Sequence, residues 1–339
     1  MSQPLRVGIR IPPCRPIPEL VDVVREAERL GLDDVWFPDS QLLWRDVFAV
    51  AAAAVAGTTR INVGTAVTNV VTRHPAVVAS AARTVHEIAP GRFRLGLGVG
   101  NSSVAPIGLR ASTGAEMRDR IGVIRSLLDG DEVHFGDVRS RLRDPAPDLA
   151  LYMAASGPKN LRLAGEISDG VILLSGVTPK ILGDSAERIR EGAHAAGRSE
   201  PVPMTVSAFC RVTDDLERDA RELKPLCLWM AQGGGAAFLA LAGIHIDAPA
   251  HVPGVYPDLI HAEDWDAAVS ICDAYVSDQD AVRYAREFCV YGDADAVVDR
   301  LLSIKEAGAS AVFLQHVGSY DLPHELISVL AEQVLPRLA

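Results

Sequence analysis

The sequence predicts one (β/α)8 barrel of the TIM type, an α/β fold, with two insertions. Short apolar, β-branched runs alternate with amphipathic helical segments along the 339 residues, and eight such pairs can be counted. Runs of this kind are typical of parallel strands covered on both faces, and eight strand–helix units close a TIM barrel. No linker rich in proline, glycine or serine divides the chain, so residues 1–339 are predicted to form a single domain.

The predicted strands and helices alternate from one end of the chain to the other. The strands are LRVGIRI (5–11), DDVWFP (33–38), RINVGTAV (60–67), GRFRLGLGVG (91–100), LALYMAA (149–155), DGVILLS (169–175), PVPMTVSAFCRV (201–212) and SAVFLQHVG (310–318). The helices lie at about 17–31, 46–57, 75–89, 112–129, 158–168 and 179–196, with further helical segments after the seventh and eighth strands. The first helix closes on Gly31, a residue type favoured just past a helix end, and Pro75 opens the third helix. The extra length lies at about 101–148 after the fourth strand and about 213–309 after the seventh, which gives the two insertions.

Composition and charge argue against several classes of protein. The chain carries 33 basic and 44 acidic residues, a net charge of −11, and has no Lys/Arg cluster, so we expect no nucleic-acid or anionic-membrane partner. No apolar run is long enough to span a bilayer, and the first residues lack the pattern of a signal peptide. The five cysteines are scattered and form no CxxC pair, which is typical of reduced thiols in a cytoplasmic protein and predicts no metal site.

Polar side chains are concentrated where the third strand passes into the third helix. Catalytic sites of TIM barrels lie at the carboxyl ends of the strands, and we number each loop after the barrel strand that it follows. The third loop, residues 65–74, carries Thr65, Thr68, Asn69, Thr72, Arg73 and His74. Capping of the helix by Thr72 and His74 would explain one or two of these residues, but not six. The loop therefore predicts a polar pocket.

The second and fourth loops carry features that match such a pocket. The second loop, PDSQLLW, places Asp39 and Ser40 at the strand end and Trp44 about one turn later. Trp44 can form the wall of a slot for a ring-shaped ligand, or it can simply cover the barrel rim. In the fourth loop, GLGVGN (96–101), alternating glycines would let a ligand lie against bare backbone. This repeat is a poor match to the dinucleotide-binding fingerprint because it lies within the strand.

The fifth loop has the pattern of an anion site. In AASGPKNLRLAGE (154–166), Gly157 and Pro158 open a helix, with Lys159 and Arg162 alongside. Backbone N–H groups at a helix start bind anions readily, although the segment can also be an ordinary tight corner. A ring slot at the second to fourth loops and a phosphate site at the fifth favour an aromatic cofactor with a phosphate-bearing tail.

Several segments together carry a resemblance to a known family. They are LDDVWFPD, GTAVTNVVTRHPAVVASAARTV, GRFRLGLGVG, YMAASGPKNLRLAGEISDGVI and the terminal GDADAVVDRLLSIKEAGASAVFLQ. The chain resembles the bacterial luciferase-like superfamily, and within it the deazaflavin-dependent branch that uses coenzyme F420. The similarity covers residues 5 to about 195 and about 288 to the end, and the segment between is weakly matched.

The resemblance implies a role for individual residues. In this family the deazaflavin rests on a bulge of the third strand that contains a non-prolyl cis peptide, and the matching pair here is Ala66–Val67. The other matching positions, together with neighbours taken from the loop patterns above, are Asn69 at the ring edge, Gly98 and Gly100 beside the cofactor, Ala154, Ala155, Ser156, Gly157, Pro158 and Lys159 at the phosphate, Asp39, Ser40 and Trp44 facing ring and substrate, and Asn101 facing the substrate.

Departures from the family pattern limit the choice of substrate. Members of the branch that oxidise a sugar phosphate have a histidine at the position of Ser40, a glutamate at Asn101 and a lysine near Val177, so we do not expect a sugar-phosphate substrate. The usual acid–base partner is missing with them. Asp39, His74 and His316 are the candidate catalytic proton donors, and water is the alternative source.

These observations lead to one principal hypothesis and two alternatives. The principal hypothesis is an F420-dependent reductase or dehydrogenase that transfers a hydride between deazaflavin C5 and a small organic substrate. The first alternative is an FMN-dependent monooxygenase on the same barrel, and the second is a non-catalytic flavin or deazaflavin carrier. The resemblance also implies a homodimer, with the helices at 46–57 and 75–89 as candidates for the shared face, and the 213–309 insertion is expected to shape the substrate pocket.

Overall fold

Eight parallel strands close into a barrel in the computed structural model, which describes residues 4–338. The barrel strands are β1 (Arg6–Arg10), β2 (Asp34–Phe37), β3 (Asn62–Thr65), β5 (Phe93–Gly98), β8 (Ala150–Ala155), β9 (Gly170–Leu173), β10 (Met204–Val212) and β12 (Ala311–Gln315). They pair in this order, and β12 pairs with β1 to complete the ring. The predicted TIM barrel is confirmed.

Helices cover the outside of the barrel and fill the region after β10. They are α1 (Ile17–Arg29), α2 (Val47–Ala56), α3 (Pro75–Ile88), α4 (Gly114–Asp129), α5 (Pro158–Ile167), α6 (Pro179–Ala195), α7 (Leu216–Asp219), α8 (Lys224–Met230), α9 (Ala236–Leu241), α10 (Trp265–Cys272), α11 (Asp278–Phe288), α12 (Ala294–Glu306) and α13 (His324–Val329). Gly31 follows α1 with φ +97, as expected of the residue past a helix end. The predicted helix bounds agree with the observed ones to within about two residues.

Four short strands are not predicted from the sequence. β4 (Thr68–Asn69) continues the third strand after a break, β6 (Val133–Phe135) and β7 (Val138–Ser140) form a hairpin inside the first insertion, and β11 (Val290–Gly292) pairs with the end of β10. Each has only two or three residues, which is too short for a periodic pattern. The second insertion is also narrower than expected, since α12 packs against β10 and α6 as a barrel helix.

The interior of the barrel is filled with side chains. Trp36 packs against Phe313 and Tyr152, with ring centroids 5.4 and 5.9 Å apart, and Ile172 completes the layer. Gly64 lies beneath the Trp36 ring, where an added Cβ would approach within 2.4 Å. Since side chains fill the interior, the candidate site is the open end formed by the carboxyl ends of the strands, which we call the mouth.

The segment between β10 and α12 forms a second apolar core of its own. Leu223, Leu226 and Tyr284 are among the buried side chains of this core. The five cysteines, Cys14, Cys210, Cys227, Cys272 and Cys289, are all free thiols, and burial raises their pKa, to about 12 for Cys227 and about 11 for Cys272. Four of these thiols are buried in the protein, and Cys14 is half-buried.

The described residues contain neither a membrane-spanning helix nor a cluster of metal ligands. No helix within residues 4–338 is both long and apolar enough to cross a bilayer. No group of three His, Cys, Asp or Glu side chains in the same range is placed to hold a metal ion.

Candidate functional site

The third barrel strand is interrupted at the mouth. β3 ends at Thr65, the Ala66–Val67 peptide is cis, as the family resemblance implied, and β4 then pairs with β5. Thr65 closes the gap, since its Oγ1 donates to the Gly96 carbonyl (2.7 Å) and accepts from the Gly96 N–H (2.8 Å). The polar residue at the end of this strand thus replaces backbone pairing that the break removes.

Asn69 organises the turn that follows the break. Its Oδ1 accepts from the N–H groups of Val71 (2.9 Å) and Thr72 (2.8 Å), and its Nδ2 donates to Ser103 Oγ (3.0 Å). The side chain is buried. The expected contact between Asn69 and a ring edge stays a prediction, and only the second N–H of its amide group is free to make it.

Small apolar side chains form a floor at the mouth. Ala66, Val67 and Ala154 are half-buried and pack on the interior layer that contains Trp36 and Phe313. They come from the broken third strand and from β8, so the break brings an alanine and a valine to the surface beside a third small residue. This floor, hereafter the apolar floor, is suited to the face of a planar ring.

The glycines of the fourth loop are required by packing within the protein itself, and their contact with a ligand stays a prediction. An added Cβ at Gly96 would lie 1.9 Å from the Thr65 carbonyl oxygen, and one at Gly98 would lie 2.5 Å from Val67 Cγ2. At Gly100, with φ +83, it would meet Val104. These glycines make room for the protein's own atoms. Gly98 supports the apolar floor from below through Val67.

Asp39 lies at the centre of a buried cluster of charges. Its carboxylate accepts from Thr68 Oγ1 (2.7 Å) and forms an ion pair with Arg73, and Arg73 also binds Asp46 Oδ2 (2.6 Å). Burial lowers the pKa of Arg73, but its hydrogen bonds to Asp39 and Asp46 outweigh that effect and raise it. Asp46 in turn caps α2. Because Asp39 is committed to Arg73 and Thr68, the structure does not support it as a free proton donor.

Serine residues join the second, third and fourth loops. Ser40 and Ser102 share a hydrogen bond between their hydroxyl oxygens (2.6 Å), and Gln41 Nε2 donates to the Ser103 carbonyl (2.6 Å). Asn101, predicted to face the substrate, is exposed at the rim. The sequence does not predict roles for Ser102 and Ser103, although their position directly after the glycine repeat is a signal for them.

The fifth loop leaves the start of α5 open. Gly157 is the N-cap residue, no side chain caps the helix, and an added Cβ at Gly157 would meet nothing within 4 Å. Ser156, Pro158 and Lys159 are exposed, Ala155 is buried beneath them, and Lys159 forms no ion pair within residues 4–338. The predicted place of Arg162 is wrong. Its Nε binds Glu191 on α6 (2.6 Å), so of the two cations expected at this corner, Arg162 is paired and Lys159 alone is without an ion pair in the described part of the chain.

Neither of the two candidate histidines has the surroundings of a catalytic acid. His74 is exposed and caps α3, since its Nδ1 accepts from the Ala76 N–H (3.2 Å). The ring nitrogens of His316 are buried and have no hydrogen-bond partner in the described chain. Burial and the positive charge of Arg10 lower the pKa of His316 to about 4. The ring is therefore neutral at pH 7, which argues against His316 as a catalytic acid.

Trp44 lies in the second loop, where it forms a wall of the mouth, and it is almost fully buried. Its Nε1 donates to the Ser319 carbonyl (2.9 Å), and its ring meets the edge of His261 at a centroid distance of 5.2 Å. The guanidinium of Arg10 lies over the same ring, 5.4 Å from its centroid. The second insertion, through His261, therefore covers this wall. The sequence predicts neither Arg10 nor His261 as part of the site.

Comparison with known proteins gives consistent matches. The family model for luciferase-like monooxygenases matches residues 4–311. The chain is 29% identical over 346 residues to the 5,10-methylenetetrahydromethanopterin reductase of Archaeoglobus fulgidus, covering 98% of this chain and 100% of the relative. It is 30% identical to the F420-dependent glucose-6-phosphate dehydrogenase of Beutenbergia cavernae over 92% of this chain and 90% of the relative. Among solved structures, the coenzyme F420 dependent tetrahydromethanopterin reductase of Methanopyrus kandleri superposes with a TM-score of 0.81 at 23% identity, covering 99% and 100% of the two chains, which shows a shared fold.

Proposed function

The chain belongs to the luciferase-like monooxygenase family, and we propose that it is a coenzyme F420-dependent oxidoreductase that transfers a hydride between deazaflavin C5 and a small organic substrate. The observation that carries this proposal is the position of the apolar floor beside the open start of α5, which directly follows β8 and its floor residue Ala154. The family supports the fold and the mouth, and the full-length relative named as F420-dependent supports the deazaflavin over FMN.

The residues present fit a flat cofactor with an anionic tail. The apolar floor of Ala66, Val67 and Ala154 would take the ring face, and the uncapped N–H groups after Gly157 would take a phosphate, aided by Lys159. When bound, the deazaflavin supplies the hydride chemistry, while the protein contributes binding and orientation. Gly98 and Val67 keep the floor in place, and the Asp39–Arg73 pair holds the second and third loops together beside it.

The rest of the mouth would orient the substrate and exclude water. Trp44, fixed by Ser319 and His261, forms a wall of the mouth at the second loop. Among the described residues, the predicted proton donors are a paired carboxylate, a neutral buried imidazole and a helix cap, so we propose that the proton exchanges with water. Close orientation of two rings in a dry site accounts for a large part of such a reaction's acceleration.

Exposure to air separates this proposal from an FMN-dependent monooxygenase. The protein would be mixed in turn with reduced F420 and with reduced FMN, and oxygen uptake and cofactor absorbance would be recorded. We expect reduced F420 to stay reduced in the complex, and oxygen uptake with reduced FMN to equal that of the free flavin. Protein-dependent oxygen uptake with FMN that rises further on addition of organic substrates would point to the monooxygenase instead.

Reversing the charge at Lys159 tests the phosphate site. Lys159→Glu should weaken binding of full-length F420 about 10- to 100-fold, since charge-assisted hydrogen bonds contribute about 1.5–3 kcal/mol. Binding of the deazaflavin chromophore without its phosphate tail should change little. Lys180→Glu is the matched control because Lys180 is also exposed and also follows a proline at a helix start, that of α6. Equal losses for both ligands in Lys159→Glu would show that the phosphate binds elsewhere.

We also propose that the protein is a homodimer through α2 and α3. Val77 and Ile88 on α3 are 54% and 46% exposed, and they lie three turns apart on one face of the helix. The neighbouring α2 presents small alanines that allow close approach. Light scattering at micromolar concentration should give twice the chain mass, and Val77→Asp with Ile88→Asp should halve it. A wild-type monomer under these conditions would remove the idea.

A further inference from the structure

Arg10 is a cation at the mouth with no anionic partner among residues 4–338. It ends β1, where it lies in register with Trp36 of β2, and Val7 and Ile9 of the same strand pack outward against the helices. Since side chains alternate along a strand, Arg10 projects to the inner face at the carboxyl end. The side chain is half-buried, and within residues 4–338 it makes neither a hydrogen bond nor an ion pair.

Other arginines on the inner face of the barrel and in the mouth are paired. Arg94 binds Asp34 at 2.6 Å, with Arg6 at 3.5 Å from the same carboxylate, and Arg73 lies between Asp39 and Asp46. Burial lowers the pKa of Arg10 to about 10, so the group stays charged at neutral pH. A partly buried charge without a counter-ion is costly. The arrangement therefore favours binding of an anion that the described chain does not itself supply.

The surroundings of Arg10 hold it in one orientation. Its guanidinium stacks over the Trp44 ring, which is fixed in turn by Ser319 and His261. His316 adds no second positive charge, because its buried ring is neutral. Beside Arg10 on the inner face, Gln315 Nε2 donates to Ser207 Oγ at 3.1 Å, so both of these side chains are also fixed. A planar donor held in this way is suited to a planar, two-oxygen acceptor.

We propose that Arg10 binds a carboxylate of the substrate, so that the substrates of this protein are small organic acids. This inference rests on the proposed function, since it places the acid in the same mouth as the apolar floor. One positive charge matches the single negative charge of a carboxylate. A phosphate monoester carries nearly two charges and would call for a second cation, but Arg73 is already neutralised and Lys159 lies at the fifth loop.

Calorimetric titration with benzoate and benzamide tests the proposal, because the two probes share a shape and differ in charge. Wild-type protein should bind benzoate at least about tenfold more tightly than benzamide or phenyl phosphate. Arg10→Gln should remove that preference without changing benzamide affinity, and Arg10→Lys should keep part of it. Arg15→Gln is the matched control, since Arg15 is exposed at the rim and paired with the exposed Asp321 at 3.6 Å, and it should behave as wild type.

The outcomes distinguish this inference from the proposed function. Benzoate affinity that is equal in wild type and Arg10→Gln would overturn it, and so would a preference for phenyl phosphate. If Arg10→Gln does not fold, wild-type protein still decides, because binding of benzoate no tighter than benzamide overturns the inference as well. F420 titrations run in parallel on wild type and Arg10→Gln should agree with each other. If wild-type protein does not bind F420 but still prefers benzoate, the proposed function alone is refuted.

Discussion

Ala66→Leu is expected to abolish F420 binding while the barrel stays folded. The Ala66 side chain is half-buried at the apolar floor, so a leucine there would extend into the space assigned to the ring. Inserting bulk where a ring must pack costs about 1–3 kcal/mol or more, and direct overlap with the ring raises the loss beyond the range of a titration. Since the added atoms point outward from the core, the free energy of unfolding should change by less than about 1 kcal/mol.

Ala195→Leu serves as the matched control for this variant. Ala195 is exposed at the end of α6, on the opposite side of the barrel from the mouth, and the same change there should leave both stability and F420 affinity as in wild type. Unfolding in urea and fluorescence titration with F420 give the two readouts. F420 affinity within threefold of wild type in Ala66→Leu would contradict the placement of the ring on the apolar floor.

Arg73→Met is expected to cause the largest loss of stability among the site variants. Among residues 4–338, it would leave the buried carboxylate of Asp39 with Thr68 as its only hydrogen-bond partner. Removing one member of a buried ion pair costs about 3–5 kcal/mol because the remaining charge is uncompensated. The free energy of unfolding from urea titration at pH 7 measures this loss, and F420 affinity should fall with it because the second and third loops separate.

A second substitution and a surface control define the cause. Asp39→Asn added to Arg73→Met removes the stranded charge and should recover part of the lost stability. Arg15→Met breaks an exposed ion pair and should cost less than about 1 kcal/mol. A loss in Arg73→Met as small as that in Arg15→Met would show that the Asp39–Arg73 pair does not hold the loops.

The fold was accessible from the sequence because its signals are local. Buried parallel strands are continuous apolar runs, and helices α3, α5 and α6 each begin with a proline, so both kinds of element are visible without knowledge of their partners. β11 and the β6–β7 hairpin lack such a signal. Their pairing depends on the end of β10 and on each other, which no short window of sequence contains.

The site was accessible only in outline. The polar residues at the strand ends predicted which loops form the site, but not how their side chains pair with one another. Asp39 and Arg73 are 34 residues apart, and Arg162 binds a glutamate on the next helix where a ligand phosphate was expected. The glycines of the fourth loop show the same limit, since the atoms that fill the space beside Gly98 come from another strand. The sequence does not single out Arg10, because only the coordinates show that its guanidinium has no hydrogen-bond or ion-pair partner among residues 4–338.

Side-by-side equilibrium titration of the protein with F420 and with FMN decides whether its cofactor is the deazaflavin. Each cofactor would be added to the same preparation, with Lys159→Glu and Ala66→Leu in parallel. We expect the wild-type protein to bind F420 saturably and at least about 100-fold more tightly than FMN. F420 binding should be weakened in Lys159→Glu and lost in Ala66→Leu. Tighter binding of FMN than of F420 by the wild-type protein would contradict this expectation.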